Sequence, residues 1–279
     1  IIILILLLLY QSSLLSKSDS FDEFNSKNLS KYFSGIVAFE NKDNSIALNY
    51  FNSSKILINQ HDPYLEKFVM SLVLEDKVAQ AINYIKANSK KSNTYFFEAY
   101  VLLALDSIKK NNINKALKIL SEVPEDLQKD RFNFIIINSI KDYVYVFKNK
   151  EILKEKKNFN NLSLIANTFQ RCYLGDVNTS SSFSKLVNNN QADYSRYIFF
   201  YLNYLIENNQ IEEAKAITDK LDFINSSLLL SQGKSWIEDN ELNKFGEVFS
   251  CKNHNDIIGE FLFLISNLYS AQNEFEKSN

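Results

Sequence analysis

Residues 32–51 read YFSGIVAFENKDNSIALNYF, and this stretch is the most informative one about the fold. Apolar side chains recur at helical spacing on both sides of the polar sequence NKDN, which predicts two helices joined by a short turn. Gly35 and Ala47 lie twelve residues apart, one on each helix, so that the paired helices can approach closely. Phe51 follows Ala47 by four residues and is expected to fill the space beside this hairpin.

The position of Ala47 recurs further along the chain. Ala81 follows it by 34 residues, and Ala116 follows Ala81 by 35 residues. Each alanine lies in the second half of a helix-turn-helix pattern. A period of this length is typical of arrays in which helical hairpins stack on one another as a solenoid.

Residues 29–124 resemble the tetratricopeptide repeat, in which Gly35, Ala47 and Phe51 match the glycine, alanine and phenylalanine positions. Pro63 and Pro124 follow at ends of units, as the repeat requires. The resemblance implies an all-α fold, a right-handed superhelical solenoid of antiparallel helix hairpins. The residues expected to pack the repeats are Gly35, Ala47, Phe51, Ala81, Ile85, Ala104, Ala116, Leu120 and Ala214.

The repeat pattern is interrupted in the middle of the chain and then returns. Ala214 again takes the alanine position, and Gly233 with Phe245 suggests a further pair, although Phe245 is bulky for that place. We also expect the natural protein to extend past both ends of this sequence. The predicted segments are a signal-like or anchor segment at 1–15, a linker at 16–28, repeats at 29–124, an irregular helical region at 125–190 and further repeats at 191–279.

The composition supports a helical protein and argues against nucleic acid as its ligand. Only 5 Gly and 2 Pro occur in 279 residues, so few tight turns of the kind that sheets need are specified. The net charge is −2, whereas a protein that binds nucleic acid is normally basic.

The first nine residues are an unbroken apolar run, IIILILLLL, which is typical of a secretory signal. The run is shorter than the ~20 residues that span a bilayer. If residues precede it, a membrane tether is an alternative interpretation, and a third interpretation is a buried helix. Export to the periplasm or cell envelope is the localisation that we predict from it.

No catalytic or metal-binding motif is recognisable, so we predict no cofactor and no enzyme activity. His61 and His254 lie in polar sequences and are interpreted as solvated loop residues. Cys172 and Cys251 are far apart and show no metal-ligand spacing, so they are expected to be unpaired thiols. A bridge between them would require an oxidising compartment.

In stacked hairpins of this kind the first helix of each pair lines the concave surface. A largely apolar row at those positions would suit an amphipathic helix or an extended apolar peptide. An error of one residue in the register would instead make these core positions. The candidate groove residues are Tyr32, Ile36, Glu66, Met70, Val101 and Leu105.

Two functions follow from this pattern. The first is a non-catalytic scaffold for a protein or peptide partner, exported to a bacterial envelope, because the layout looks like that of exported repeat proteins of Gram-negative bacteria. The alternative is the helical superstructure of a cell-wall lytic enzyme whose catalytic domain lies outside this sequence. Further hairpins in the complete reading frame would favour the scaffold, and an added globular domain would favour the enzyme.

Overall fold

The computed structural model describes residues 25–59, 61–88, 96–154, 156–188, 195–220 and 228–271. Within these ranges the protein consists of α-helices and two short 3-10 helices, Lys55–Asn59 and Asp126–Gln128, without any strand, so the all-α prediction is confirmed. The signal-like segment 1–15 and residues 16–24 of the predicted linker lie outside the described residues. The helices are α1 Ser26–Glu40, α2 Asn44–Ser53, α3 Asp62–Leu74, α4 Val78–Asn88, α5 Phe97–Lys109, α6 Ile113–Ser121, α7 Arg131–Asn149, α8 Asn161–Leu174, α9 Thr179–Val187, α10 Ser195–Glu207, α11 Ile211–Thr218, α12 Leu228–Glu238, α13 Asn243–Val248 and α14 His254–Ala271.

The chain forms two compact units, one within residues 1–99 and one within residues 100–279. The boundary falls inside α5, whereas the sequence pattern placed a boundary after Pro124. In the first unit, α1 packs on α2, α2 on α3 and α3 on α4, and α1 also contacts α3. Its core is aromatic, with the Tyr64 ring lying 5.8 Å from Phe51 and 6.0 Å from Phe68.

Five helix pairs are closed by the same turn. In each, a residue other than glycine has a positive φ, between 55° and 64°, and its N–H group donates to the carbonyl three residues earlier. The next N–H group donates to the carbonyl five residues before it, which satisfies the free carbonyls at the end of the first helix. Each turn residue precedes by five the residue at the alanine position. The turn residues are Lys42, Asp76, Asn111, Asn209 and Asn240, and the residues that follow are Ala47, Ala81, Ala116, Ala214 and Phe245.

This turn explains how hairpins form in a chain with so little glycine. Asn and Asp adopt the left-handed conformation more readily than other residues with a side chain, and four of the five turn residues are of these two types. Side chains then cap the next helix: Asp43 accepts from the N–H group of Ile46, and Asn112 accepts from that of Lys115. Polar loop residues therefore carry out the role that glycine usually has at helix ends.

The second unit departs from strictly sequential packing. α7 contacts α6 and α8, and α10 contacts α9, α11, α12 and α13. The last described helix, α14, returns to pack on α7 and α8. Phe261 on α14 lies 5.5 Å from the ring of Tyr143, and Tyr269 lies 5.6 Å from Phe132. α14 thus covers helices that precede it by roughly a hundred residues of sequence.

Cys172 on α8 and Cys251 just before α14 form a disulfide, so the prediction of unpaired thiols is wrong. The two cysteines are 79 residues apart in sequence, and their Cα atoms are 5.5 Å apart. Both side chains are buried. Sequence spacing could not reveal this bridge, because it depends on the return of α14 to α8.

Candidate binding cleft

The predicted repeat-packing residues all lie in the protein interior. The closest approach is that of Gly35 to Phe51: a Cβ atom on Gly35 would lie 2.8 Å from Cε1 of the phenylalanine ring. Gly233 has the same relationship to Phe199, with a distance of 3.0 Å to Cδ2. In both places a missing side chain leaves room for an aromatic ring, which comes from the paired helix α2 at Gly35 and from α10 at Gly233.

The candidate groove residues do not all reach the surface. Tyr32 is only 5% exposed, and its ring stacks on Tyr64 in the core of the first unit, so it offers no groove surface. The other five are half-buried: Ile36, Glu66 and Met70 in the first unit, and Val101 and Leu105 in the second. That these five residues form one continuous row stays a prediction.

Neither histidine is a solvated loop residue, contrary to the sequence interpretation. His61 lies 3.0 Å from the hydroxyl of Tyr32 through Nε2. His254 is the first residue of α14, and its Nε2 atom lies 3.1 Å from the carbonyl oxygen of Ile108, to which it donates. Both are half-buried and serve to join separate elements.

A cleft with a volume of about 690 Å³ opens in the second unit between α10, α12, α13 and α14. Three of its lining residues are large apolar side chains that remain exposed: Leu228 (76%), Val248 (49%) and Phe263 (41%). Phe200 and Phe249 lie deeper, with ring centroids 4.7 Å apart. Clustered exposed apolar side chains around a concavity mark a surface suited to binding. We call this surface the apolar cleft.

An ion pair forms the polar part of the apolar cleft. Nε of Arg196 donates to Oε1 of Glu260 at 2.9 Å, and Nη2 donates to Oε2 at 2.7 Å. The guanidinium also lies over the ring of Phe263, 3.9 Å from its centroid. The Glu260 side chain is 4% exposed and that of Arg196 is 33% exposed. Burial raises the pKa of the Glu260 carboxyl above its ordinary value, and the hydrogen bonds from Arg196 oppose that rise.

This geometry defines what the cleft can bind. A guanidinium carries five N–H groups, and Glu260 accepts two of them, so Arg196 can still donate to a ligand. Its charge is balanced by Glu260, which favours an uncharged acceptor such as a peptide carbonyl over an anion. Asp256, also in the lining, already accepts from the Ser250 N–H group and from Asn253.

Sequence reasoning did not find this cleft. Its residues come from four helices, and Arg196 and Glu260 are 64 residues apart. The only local signal was the pairing of charge with apolar residues at the start of α10 and within α14. A charge inside an apolar helix pattern indicates a buried ion pair without identifying the partner.

Among the described residues, no group of three or more His, Cys, Asp or Glu side chains is placed to hold a metal ion. None of the described helices is both long enough and apolar enough to cross a membrane. The sequence matches no family model, no curated protein and no solved structure.

Proposed function

We propose that this protein is a non-catalytic scaffold for protein–protein contacts, built from hairpins like those of the tetratricopeptide repeat and exported to a bacterial envelope. The observation that carries the binding function is the apolar cleft, in which three exposed apolar side chains surround a charge-balanced Arg196. An apolar peptide segment fits both features, because its side chains would cover the rim and a backbone carbonyl would accept from the guanidinium.

The repeated turn supports a solenoid of helix hairpins. Five pairs share one turn geometry, and in each pair the residue at the alanine position follows the turn residue by five. Sequential packing of α1 to α4 is the arrangement that such arrays use. The return of α14 to α7 and α8 departs from this sequential arrangement.

The disulfide supports export. Disulfides persist in oxidising compartments such as the periplasm and are rare in the reducing cytosol. Since Cys172 and Cys251 are both buried, their bridge is structural rather than a reactive pair at the surface. The apolar run at residues 1–9 provides an independent argument for export from the sequence.

A crosslinking experiment in the native host tests the binding function. A photoreactive amino acid at Leu228 or Val248 probes the apolar cleft, and the same residue at Val177 is the matched control. Val177 is an apolar residue of the second unit that is 93% exposed and does not line the cleft. We expect a discrete partner from both cleft positions and none from Val177.

The captured segment is then synthesised as a peptide and its affinity is measured. Leu228→Asp is expected to weaken binding at least about tenfold, because it places a charge on the apolar rim. Val177→Asp should leave the affinity unchanged. Equal capture at all three positions, or equal loss of affinity in both variants, would exclude the apolar cleft as the binding site.

A further inference from the structure

A second cleft lies elsewhere in the second unit, where the connection between α7 and α8 runs beside α8. It consists of two cavities of about 620 Å³ and 780 Å³. Lys156 and Asn167 line both cavities, so the two form one continuous surface. We call it the basic cleft. None of its lining residues belongs to the apolar cleft.

The basic cleft is positively charged although the whole chain carries a net charge of −2. Glu151 and Asp176 are its acidic lining residues, and both are already engaged. Glu151 accepts from the Tyr145 hydroxyl, and Asp176 pairs with Arg171 at 3.1 Å. The cationic lining residues are Lys150, Lys154, Lys156, Lys157 and Arg171.

Three of these lysines make no direct ion pair with a described carboxylate, and the charge of Asp142 acts on one of them, Lys156. Lys154 and Lys157 are exposed, and Lys157 lies over the ring of Phe134 at 3.9 Å. Lys156 is half-buried between them. Cationic side chains that line adjoining cavities repel one another, so an anion that bound here would relieve the repulsion.

Lys156 is held in place by a buried side chain. Its Nζ atom donates to Oε1 of Gln170 at 3.3 Å, and Gln170 is 1% exposed. The Nε2 atom of the same amide is buried without a hydrogen-bond partner. Burial lowers the pKa of Lys156, Asp142 opposes that change, and Arg171 adds to it. A buried amide that positions a half-buried ammonium at the junction of two cavities is a feature of a built site.

We propose that the basic cleft binds a multiply charged oxyanion, a phosphate or diphosphate group, with Lys154, Lys156, Lys157 and Arg171 as its cationic partners. A single carboxylate would neutralise only one of three unpaired lysines, whereas a phosphate group carries nearly two charges and several acceptor oxygens. Asn167 supplies an amide at the junction. This inference does not depend on the function of the apolar cleft.

Inorganic pyrophosphate and lipid vesicles are the probes that distinguish the two sources of such a group. Binding of pyrophosphate is measured by calorimetry, and binding of vesicles by sedimentation, with phosphatidylcholine alone or mixed with phosphatidylglycerol. We expect a Kd for pyrophosphate of about 1 mM or tighter at an ionic strength of about 0.1 M. Binding only to the phosphatidylglycerol vesicles would support the site and identify a lipid headgroup as its ligand.

Lys154→Gln combined with Lys157→Gln removes two exposed charges and should weaken binding at least about tenfold. Lys148→Gln combined with Lys252→Gln is the matched control, because both residues are exposed lysines of the second unit outside the cleft. The control pair should change the Kd less than about twofold. Lys156→Gln tests the central position.

The proposal is overturned if neither pyrophosphate nor the vesicles bind, or if the only signal is a weak, non-specific effect of ionic strength. It is also overturned if the control pair of substitutions weakens binding as much as the pair in the basic cleft. Circular dichroism of each variant shows whether it is folded. Loss of crosslinking at Leu228 would contradict the peptide-binding function alone, so failures of the two proposals are separable.

Discussion

Arg196 and Glu260, which are 64 residues apart in sequence, meet through two charge-assisted hydrogen bonds of 2.9 Å and 2.7 Å. The pair is asymmetric, because the glutamate is almost fully buried and the arginine is one-third exposed. The loss of stability therefore depends on which of the two residues is replaced. Glu260 without its partner is a carboxylate that water cannot reach, whereas Arg196 can extend its guanidinium to solvent.

From this asymmetry we expect Arg196→Met to lower the free energy of unfolding by about 3–5 kcal/mol at neutral pH. Glu260→Gln should cost less, about 1 kcal/mol, because the remaining cation is partly solvated. Urea unfolding of both variants measures this difference. Equal losses would show that the two side chains are equally buried, contrary to the structure.

The contribution of this ion pair to the stability of the fold depends on pH. Because burial raises the pKa of Glu260 in the folded state, its protonated form is favoured by folding. Its contribution to stability is therefore largest below the unfolded pKa of about 4.3 and declines as pH rises through the folded value. The cost of Arg196→Met should accordingly shrink between pH 7 and pH 5, whereas that of Glu260→Gln should not. A pH-independent cost of Arg196→Met would contradict this.

Gly35→Ala is expected to destabilise the first unit by about 1–3 kcal/mol through overpacking. The new methyl group would lie 2.8 Å from the ring of Phe51, which is fully buried and cannot move away. Gly246→Ala is the control, since Gly246 also lies in a helix but nothing lies within 4 Å of its added Cβ atom. That variant should gain about 0.5–1 kcal/mol from helix propensity. Thermal and urea unfolding compare the two.

Reduction of the disulfide is expected to lower the stability of the second unit by about 2–5 kcal/mol. The bridge closes a loop of 79 residues and links α8 to the segment before α14, so its loss frees the unfolded chain. Unfolding is measured with and without dithiothreitol. Cys172→Ser combined with Cys251→Ser should match the reduced protein and should not respond to dithiothreitol.

Asn203 is a buried residue of α10 that closes the end of α13. Its Nδ2 atom donates to the carbonyl oxygens of Phe245 and Phe249, at 2.9 Å and 2.8 Å. Asn203→Leu keeps the volume but leaves both carbonyls buried without that donor, and we expect a loss of about 2–4 kcal/mol. Asn188→Leu is the control, because the Asn188 amide bonds only within α9 and is exposed. A similar loss in both variants would show that Asn203 has no special role.

Helix positions were predicted well because they depend on local patterns. The two helices predicted on either side of the sequence NKDN are α1 and α2, and they follow from apolar periodicity over a few turns. Even Phe245, which is too bulky for an alanine position, occupies that place. It is accommodated because Gly233 faces it, with 3.4 Å between the ring and an added Cβ atom.

By itself, the sequence determined the all-α class and the small residues at which helices approach, since both depend on neighbours within about forty residues. The return of α14 to α7 and α8 depends on tertiary contacts that no local pattern predicts. The disulfide and the Arg196–Glu260 pair join residues that are 79 and 64 residues apart, and the apolar cleft is lined by four separate helices. Local periodicity carries no information about such contacts. The burial of Tyr32 was decided in the same way, because its position on a helix face does not reveal that Tyr64 and His61 will cover it.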